Sequence, residues 1–361
     1  MADAPSARHR YLRPRASYTA GMPRTILMGD PAHFSVLGGA NPHTRNVLGI
    51  RKRVDAERAR AQWHALAQTL IRHGVEICVI EAHPQLTGLV YPANAGFLYP
   101  LEAAGDASPK KLFYLSNLIP TRRGEREIYR PYLRAMGYQT VDIAARFEGE
   151  ADFFPAADSM IFTHGRVERQ RFVPRFGWPP WKRRYGFRSE LSALDELRGK
   201  VAPRRVLPVE LALEAHYHGD TVLCSFGRKR EFLLAYMEGL SAASRELLRA
   251  EFGDNLIALA HSDAELYAAN SFQTDHGGRL YLFMPEGVSE GLQREVQARA
   301  VEPVTVNVSE FLAKGGGSIK CMILDLGSST DQPADAAAVA FRALHSYHRV
   351  FAPTEFAEIP R

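Results

Sequence analysis

Two rhythms of apolar residues alternate along the chain: short runs of strand length and longer stretches with a helical repeat. Thr25 to Met28 reads as a short buried strand, and the loop GDPAHFSVLGGANPHT after it carries Phe34 and Val36, which makes it more than a spacer. The spacing of Trp63, Leu66 and Leu70 predicts a helix over 51–73 with charges on its other face, ending at Gly74. The strand VEICVIEA follows. The same order returns twice in clear form: KLFYLSN, a helix near 124–136 and YQTVDIA, then TVLCSF, a helix near 229–250 and LIALA. The fold class is therefore α/β. This grammar recurs about five times without a literal sequence repeat, a pattern compatible with a pseudo-symmetric ring of diverged units.

Two regions break the rhythm. The segment 162–190 is rich in arginine and lysine around WPPWKRRYGFRSE, and its prolines between two tryptophans exclude a helix or a central strand, so it reads as a partly exposed loop or lid. After Asp331 an alanine-rich stretch, ADAAAVAFRALHSYH, reads as a packing helix. The expected organisation is a basic arm over 1–22, one catalytic-sized domain over 23–350 and a short tail over 351–361.

Composition narrows the classes. With 361 residues, 46% hydrophobic and 24% charged, the chain can bury a large core, and no apolar run reaches the length of about 18 residues that a membrane helix needs. The net charge of +5 owes much to the arginine-rich arm, which also lacks the apolar centre of a secretory signal. The expectation is a cytoplasmic protein with no membrane and no specific nucleic-acid partner; a homo-oligomer is compatible with these features. Three widely separated cysteines, Cys78, Cys224 and Cys321, argue against a disulfide framework and against a zinc site. Cys78 and Cys224 lie in apolar runs and read as small core residues.

Four segments carry candidate chemistry. Cys321 follows three glycines in KGGGSIKCMILDL, where a thiol at the mouth of a strand can face a cleft; a buried strand cysteine beside an ordinary turn is the plainer alternative. In EAHYHGDT, His216, His218 and Asp220 alternate and are expected on one face, suited to proton transfer next to a cation-binding carboxylate, or less well to a metal. In RFEGEADFF, Glu148, Glu150 and Asp152 stand between aromatic residues, and half-buried acids of this kind require a cationic partner such as a guanidinium. Asn94, in LVYPANAGFLYP, offers an amide to a pocket or simply makes a turn.

Together and in this order, these segments resemble the guanidino-group-modifying superfamily of amidinotransferases, arginine deiminases, dimethylarginine dimethylaminohydrolases and arginine dihydrolases, over about residues 25–330. GGGSIKC is similar to the loop that ends in the family's nucleophilic cysteine, which implies Cys321. HYHGDT is similar to its Tyr-His-x-Asp-Thr segment and implies His218 as general acid/base and Asp220 as a guanidinium ligand. FEGEADF resembles its acidic motif, with Glu148 or Asp152 as the partner of the histidine and substrate. PANAG resembles the turn of the dihydrolase-like members and places Asn94 in the substrate site, and Asn41 is a further substrate-binding candidate in GANPHT, which stands where the family has Asn-Pro-Trp-Met. RRGE and YGFR imply Arg122 and Arg188 as the arginines that hold the substrate's α-carboxylate. MGDPAHF in place of a Met-Cys-Pro-Pro start, and the absence of an acid before PANAG, depart from the family pattern at the substrate pocket.

The resemblance implies a five-fold pseudo-symmetric α/β propeller, no cofactor and no metal. It also implies cleavage of the guanidinium C–N bond of arginine or a substituted arginine through an amidino-cysteine, to ornithine or citrulline plus ammonia. Transfer of the amidino group to an amine, and a non-catalytic binding protein on the same scaffold, are the alternatives.

Overall fold

A computed structural model describes residues 23–37, 41–46, 48–101, 111–178 and 180–351. The expected basic arm over 1–22 and all but the first residue of the expected tail lie outside these.

The chain opens with β1 (Arg24–Gly29), α1 (Ala56–Arg72) and β2 (Val75–Ile80), with β1 and β2 parallel. The helix begins later than its apolar spacing alone predicts because the Asp55 side chain accepts from the Arg58 backbone N–H and caps it there. Its buried stripe of Trp63, Leu66, Ala67 and Leu70 packs in one core with Ile26, Met28, Ile77 and Val79 of the two strands. A second unit follows: β3 (Gly96–Tyr99), β4 (Leu112–Leu115), α2 (Glu125–Ala135) and β5 (Gln139–Asp142). The third has β6 (Phe153–Ala156) and β7 (Ser159–His164), then a hairpin of β8 (Arg171–Pro174) and β9 (Trp181–Arg184), then α3 (Ala193–Val201) and β10 (Arg205–Glu210). The fourth is β11 (Leu223–Phe226), β12 (Phe232–Ala235), α4 (Ala242–Phe252) and β13 (Leu256–Ala258), with the short α5 (His261–Glu265) behind it. The fifth is β14 (Phe272–His276), β15 (Arg279–Pro285), α6 (Glu290–Gln297) and β16 (Val301–Val306). After α7 (Ser309–Gly315), β17 (Leu324–Ser328) returns to pair antiparallel with β1, and α8 (Ala336–Leu344) and α9 (Tyr347–Val350) pack outside.

All five three-stranded sheets follow one plan. The first strand runs antiparallel to the second, and the third, reached through a helix in four units and through a hairpin and helix in the other, runs parallel to it. In the unit built on β1 the antiparallel position is filled by β17, so the two ends of the domain share one sheet. Arg24 Nε donates to both carboxylate oxygens of Asp325 across that seam, at 2.8 and 2.9 Å.

Two expectations need correction. The segment expected to be helical from 229 contains strand β12, and the helix starts only after the Ser241 cap. The polar stretch GRKRE is a tight reversal, with Gly227 and Arg230 at positive φ and the Glu231 carboxylate accepting from the Lys229 N–H, so FLLA folds back on β11 instead of winding. The region 162–190 is no irregular loop: residues 171–184 pair as β8 and β9, with the Arg183 guanidinium 5.4 Å over the Phe172 ring and Phe172, Phe176, Trp178 and Trp181 exposed.

Asp325→Ala removes the carboxylate that takes the Arg24 Nε hydrogen bonds at the seam where the domain closes. We expect it to destabilise the protein by about 3–5 kcal/mol, visible as a lower urea midpoint with an unchanged slope.

Candidate active site

Four one-turn helices carry the candidate residues: Pro92–Asn94, Gly149–Ala151, Gly219–Thr221 and Lys320–Met322. Each begins four residues before the strand that opens the antiparallel pair of its unit, β3, β6, β11 and β17 in turn. The turns pack against one another. Two glycines let the backbones approach: Gly149 has φ +65, where a Cβ would meet the Ala93 carbonyl oxygen at 2.5 Å, and a Cβ on Gly219 would collide with Thr163.

Asp152, Glu148 and Asn94 surround the His218 imidazole. Nδ1 lies 3.1 Å from Asp152 Oδ2 and Nε2 lies 3.3 Å from Glu148 Oε2, so the two acids between which the sequence left a choice take opposite edges of the ring. Asp152 is fully engaged, accepting also from Thr163 Oγ1 (2.8 Å), Ser189 Oγ (2.6 Å) and the Gly219 N–H (2.9 Å). Burial opposes a charge on the imidazole, but Asp152 first and Glu148 next outweigh it and push its pKa up to about 9. For Glu148, burial is likewise overcome, by His218, Arg122 and Arg188, and its pKa falls to about 2. The Asn94 amide bears on the same Nε2, 3.1 Å away, while its oxygen accepts from Arg122 Nη1 at 2.7 Å. Nε2 therefore faces an acceptor that wants its proton and a donor that wants its lone pair. A ring in that position can give up a proton and take it back.

Cys321 sits on the last of the four turns, three residues before β17 opens at Leu324, so it precedes the strand instead of opening it. The glycines before it are built into the structure, with Gly316 at φ +73 closing α7. The thiol donates to Asp220 Oδ2 at 3.4 Å, and burial together with the Asp220 charge holds its pKa well above the ordinary value. Asp220 is itself raised to about 6 by burial, against the pull of His218 and Lys320.

One buried oxygen in this cluster, Asp220 Oδ1, lacks a hydrogen-bond partner among the described residues, and Glu148 Oε2 has the His218 imidazole as its neighbour at 3.3 Å. Acids desolvated in this way await donors.

A cleft of about 150 Å³ leads in to Cys321, His218 and Asn94, with Phe34, Val36 and Leu37 along one wall and Arg188 on another. Cys321, although only 3% exposed, is thus reached from outside. The Arg188 guanidinium lies 4.7 Å over the Tyr217 ring.

Other expected residues are placed differently. His216 does not share a face with His218 and Asp220, because the segment forms two successive turns; it packs between Tyr236 and Tyr267, and burial lowers its pKa to about 4. Glu150 pairs with Lys320, away from the imidazole. Arg122 also lines the cleft, with four of its five N–H donors engaged within the protein: Glu125 takes two (2.8 and 2.7 Å), Gly88 O a third and Asn94 a fourth. Asn41 donates to Tyr217 Oη (3.1 Å) and Gly315 O (2.7 Å), so it braces the glycine loop. Asn270, which the sequence reading passed over, is hydrogen-bonded to both Cys321 and the Asp220 backbone. Its signal is the run Ala-Ala-Asn immediately ahead of β14, an echo of Pro-Ala-Asn ahead of β3. Among the described residues, no group of three or more His, Cys, Asp or Glu could hold a metal ion, and no helix is long and apolar enough to cross a membrane.

Comparison with known proteins agrees with this geometry. Residues 188–327 match a family described as N,N dimethylarginine dimethylhydrolase, eukaryotic. The N(G),N(G)-dimethylarginine dimethylaminohydrolase of Mycobacterium tuberculosis is 29% identical over 303 residues, 84% of this chain and 86% of that protein. Among solved structures, the N-terminal domain of ArgZ covalently bound to a reaction intermediate superposes with a TM-score of 0.69 at 22% identity, covering 84% of this chain and 98% of that one. A dimethylarginine dimethylaminohydrolase carrying an S-methyl-L-thiocitrulline adduct gives 0.61 at 18% identity, covering 84% and 100%. The relatives and solved structures that the chain matches belong to the guanidino-group-modifying superfamily. Its α/β fold is like that of the dimethylaminohydrolase and of ArgZ.

Asp152→Asn removes the largest influence that raises the His218 pKa, so the imidazole midpoint should fall from about 9 toward the ordinary value of about 6.5. A pKa raised in the folded state stabilises the protein fully below the unfolded value and ceases to do so as pH passes the folded one. Wild type should therefore lose stability between about pH 6.5 and 9, and the variant should lose less over that window. Imidazole NMR titration and urea unfolding across pH check both expectations.

Proposed function

We propose that this protein is a cysteine-dependent hydrolase of the guanidinium C–N bond of arginine or a substituted arginine. The observation that carries the reading is a buried carboxylate oxygen, Asp220 Oδ1, without a hydrogen-bond partner among the described residues, in the cluster that holds Glu148, the Cys321 sulfur and the His218 imidazole. A guanidinium offers flat, cationic N–H donors suited to such acceptors. The superfamily, and relatives that are guanidino hydrolases, support the same reading. The five like sheets form the blades of a five-fold propeller, with the turns of the site gathered at one end of its axis.

Docking of the cation offsets the Asp220 charge that keeps the thiol protonated, and the thiol proton passes to solvent. The thiolate adds to the guanidinium carbon, forming a C–S bond. As the C–N bond breaks, His218, cationic between its two acids, gives its Nε2 proton to the departing amine. Neutral His218 then takes a proton from water, the hydroxide adds to the amidino carbon, and as the C–S bond breaks the added hydroxyl gives its proton to solvent, releasing a ureido product and the thiolate. Asp220 and Glu148 hold the remaining N–H groups throughout, which keeps the carbon in line with the sulfur.

The Asn94 turn favours ammonia as the departing amine, with citrulline, or ornithine after a second round. The relative from Mycobacterium tuberculosis, named a dimethylarginine dimethylaminohydrolase, favours a methylated amine instead. Incubation with arginine, methylated arginines and agmatine, with products read by mass spectrometry, decides between them. Ornithine or citrulline with ammonia selects the first, and dimethylamine or methylamine selects the second. An amidinated amine acceptor marks transfer. Cys321→Ser should abolish turnover, and Asp220→Asn should lower kcat/KM by about tenfold to a hundredfold. Full activity of the Cys321→Ser variant would sink the reading.

A further inference from the structure

Four of the five units place a candidate residue on the turn ahead of their antiparallel strand; the fifth, ahead of β14, places Asn270 there. Its position in the turn is the one Asn94 holds ahead of β3, two residues before the strand. Asn270 is wholly buried, at 0% exposure. Its amide makes four hydrogen bonds. The oxygen accepts from the backbone N–H groups of Ser318 and Cys321, each at 3.1 Å, and the nitrogen donates to the Asp220 carbonyl and to Cys321 Sγ, each at 3.2 Å. The Asn270 carbonyl accepts from the Lys320 N–H as well, at 3.1 Å. This environment fixes which way the amide points. Reversed, its NH₂ would face two N–H donors and its oxygen would face a carbonyl.

We propose that Asn270 is a catalytic residue that donates a hydrogen bond to the Cys321 sulfur and fixes it beside Asp220. The inference rests on Cys321 being the nucleophile. A neutral donor is what this sulfur requires. Its other close side-chain partner, Asp220 Oδ2, can only accept, and accepts well from the thiol but repels the thiolate. When the thiol proton leaves, the Asn270 N–H stays in place and meets a full negative charge; once the sulfur is a thioether it is a poor acceptor, so the bond weakens until the C–S bond breaks again. The donor therefore favours thiolate both before attack and at release. A lysine in its place would add charge that competes with the cationic substrate for Asp220, which an amide does not.

The test uses the full chain and needs no substrate. Iodoacetamide alkylation of Cys321 is followed against pH by mass spectrometry of the peptide that contains it, so that Cys78 and Cys224, pushed up by burial to about 12 and about 11, do not contribute. Asn270→Asp keeps the size and the acceptor for the two backbone N–H groups but removes the donor. Its alkylation midpoint should rise by about one pH unit or more, with a rate on the acid side about tenfold lower, the consequence of losing one hydrogen bond to a charged group. Asn270→Ala, folded by circular dichroism, should show the same rise, and serves if the aspartate variant does not fold. A wild-type midpoint in a folded variant overturns the proposal. If the midpoint rises while wild type turns over no guanidino compound, the donor role stands and the proposed reaction falls; turnover by wild type with an unmoved midpoint overturns the donor role alone.

Discussion

The site depends on a surplus of negative charge held inside the protein. Glu148, Asp152 and Asp220 are buried around a single imidazole, and a fourth acid, Glu150, is kept out of that balance by its own lysine. Burying carboxylates is costly unless donors meet them. Asp152 has three donors besides the histidine, and Glu148 Oε1 accepts from the Ile119 N–H at 3.0 Å. What is left over is one oxygen on Asp220 without a hydrogen-bond partner among the described residues, close to a Glu148 oxygen whose neighbour is the imidazole. The same surplus raises the His218 pKa and, through Asp220, the Cys321 pKa. In the proposed reaction, substrate charge would therefore do more than bind; it would change the protonation of the thiol.

The repeated unit makes this arrangement possible. A turn that precedes a strand by four residues is rigid, short and tied to a sheet, and packing several such turns together brings residues from Asn94 to Cys321 into one cluster. Between units the turns differ in what they carry, Asn, a run of acids, His with Asp, Cys, and Asn again, on nearly the same backbone. Closure of the first sheet by β17 matters for the same reason, since it fixes the turn that carries the thiol. Two residues that line the cleft also brace this assembly. Arg122 holds Asn94, and Asn41 with Tyr217 holds the loop of Gly315 and Gly316.

Much of this was legible in the sequence, and the reasons for the rest are physical. The order of strands and helices, and the segments around Cys321, His218, Asp220 and Glu148 to Asp152, could be read because each joins unusual chemistry to an apolar strand. His216 could not be told from His218 by spacing, since alternation assumes an extended chain and the glycine at 219 allows a second turn at once. Strand β12 was hidden because a polar stretch before leucines has the composition of a helix start; only the positive φ at Gly227 and Arg230 shows the reversal. Asn270 was missed because an asparagine in an alanine-rich stretch carries no chemical signature of its own. Its meaning comes from lying two residues before a strand, as Asn94 does, and from which atoms fill the space around it.

The two asparagines also bear on how the charge is balanced. Asn94 accepts from the Arg122 guanidinium and presents N–H to His218, so it passes a cation's field to the imidazole without contributing a charge. An aspartate at 94 would still accept from Arg122, but it would set a further negative group against a ring already flanked by two, and the imidazole would hold its proton more firmly than a general acid should. In the proposed reaction Asn270 makes the corresponding choice at the sulfur, where a carboxylate would suppress the thiolate and a cation would compete with substrate. Neutral amides at these two positions leave the carboxylate surplus at Glu148 and Asp220, where the guanidinium of the proposed substrate would answer it.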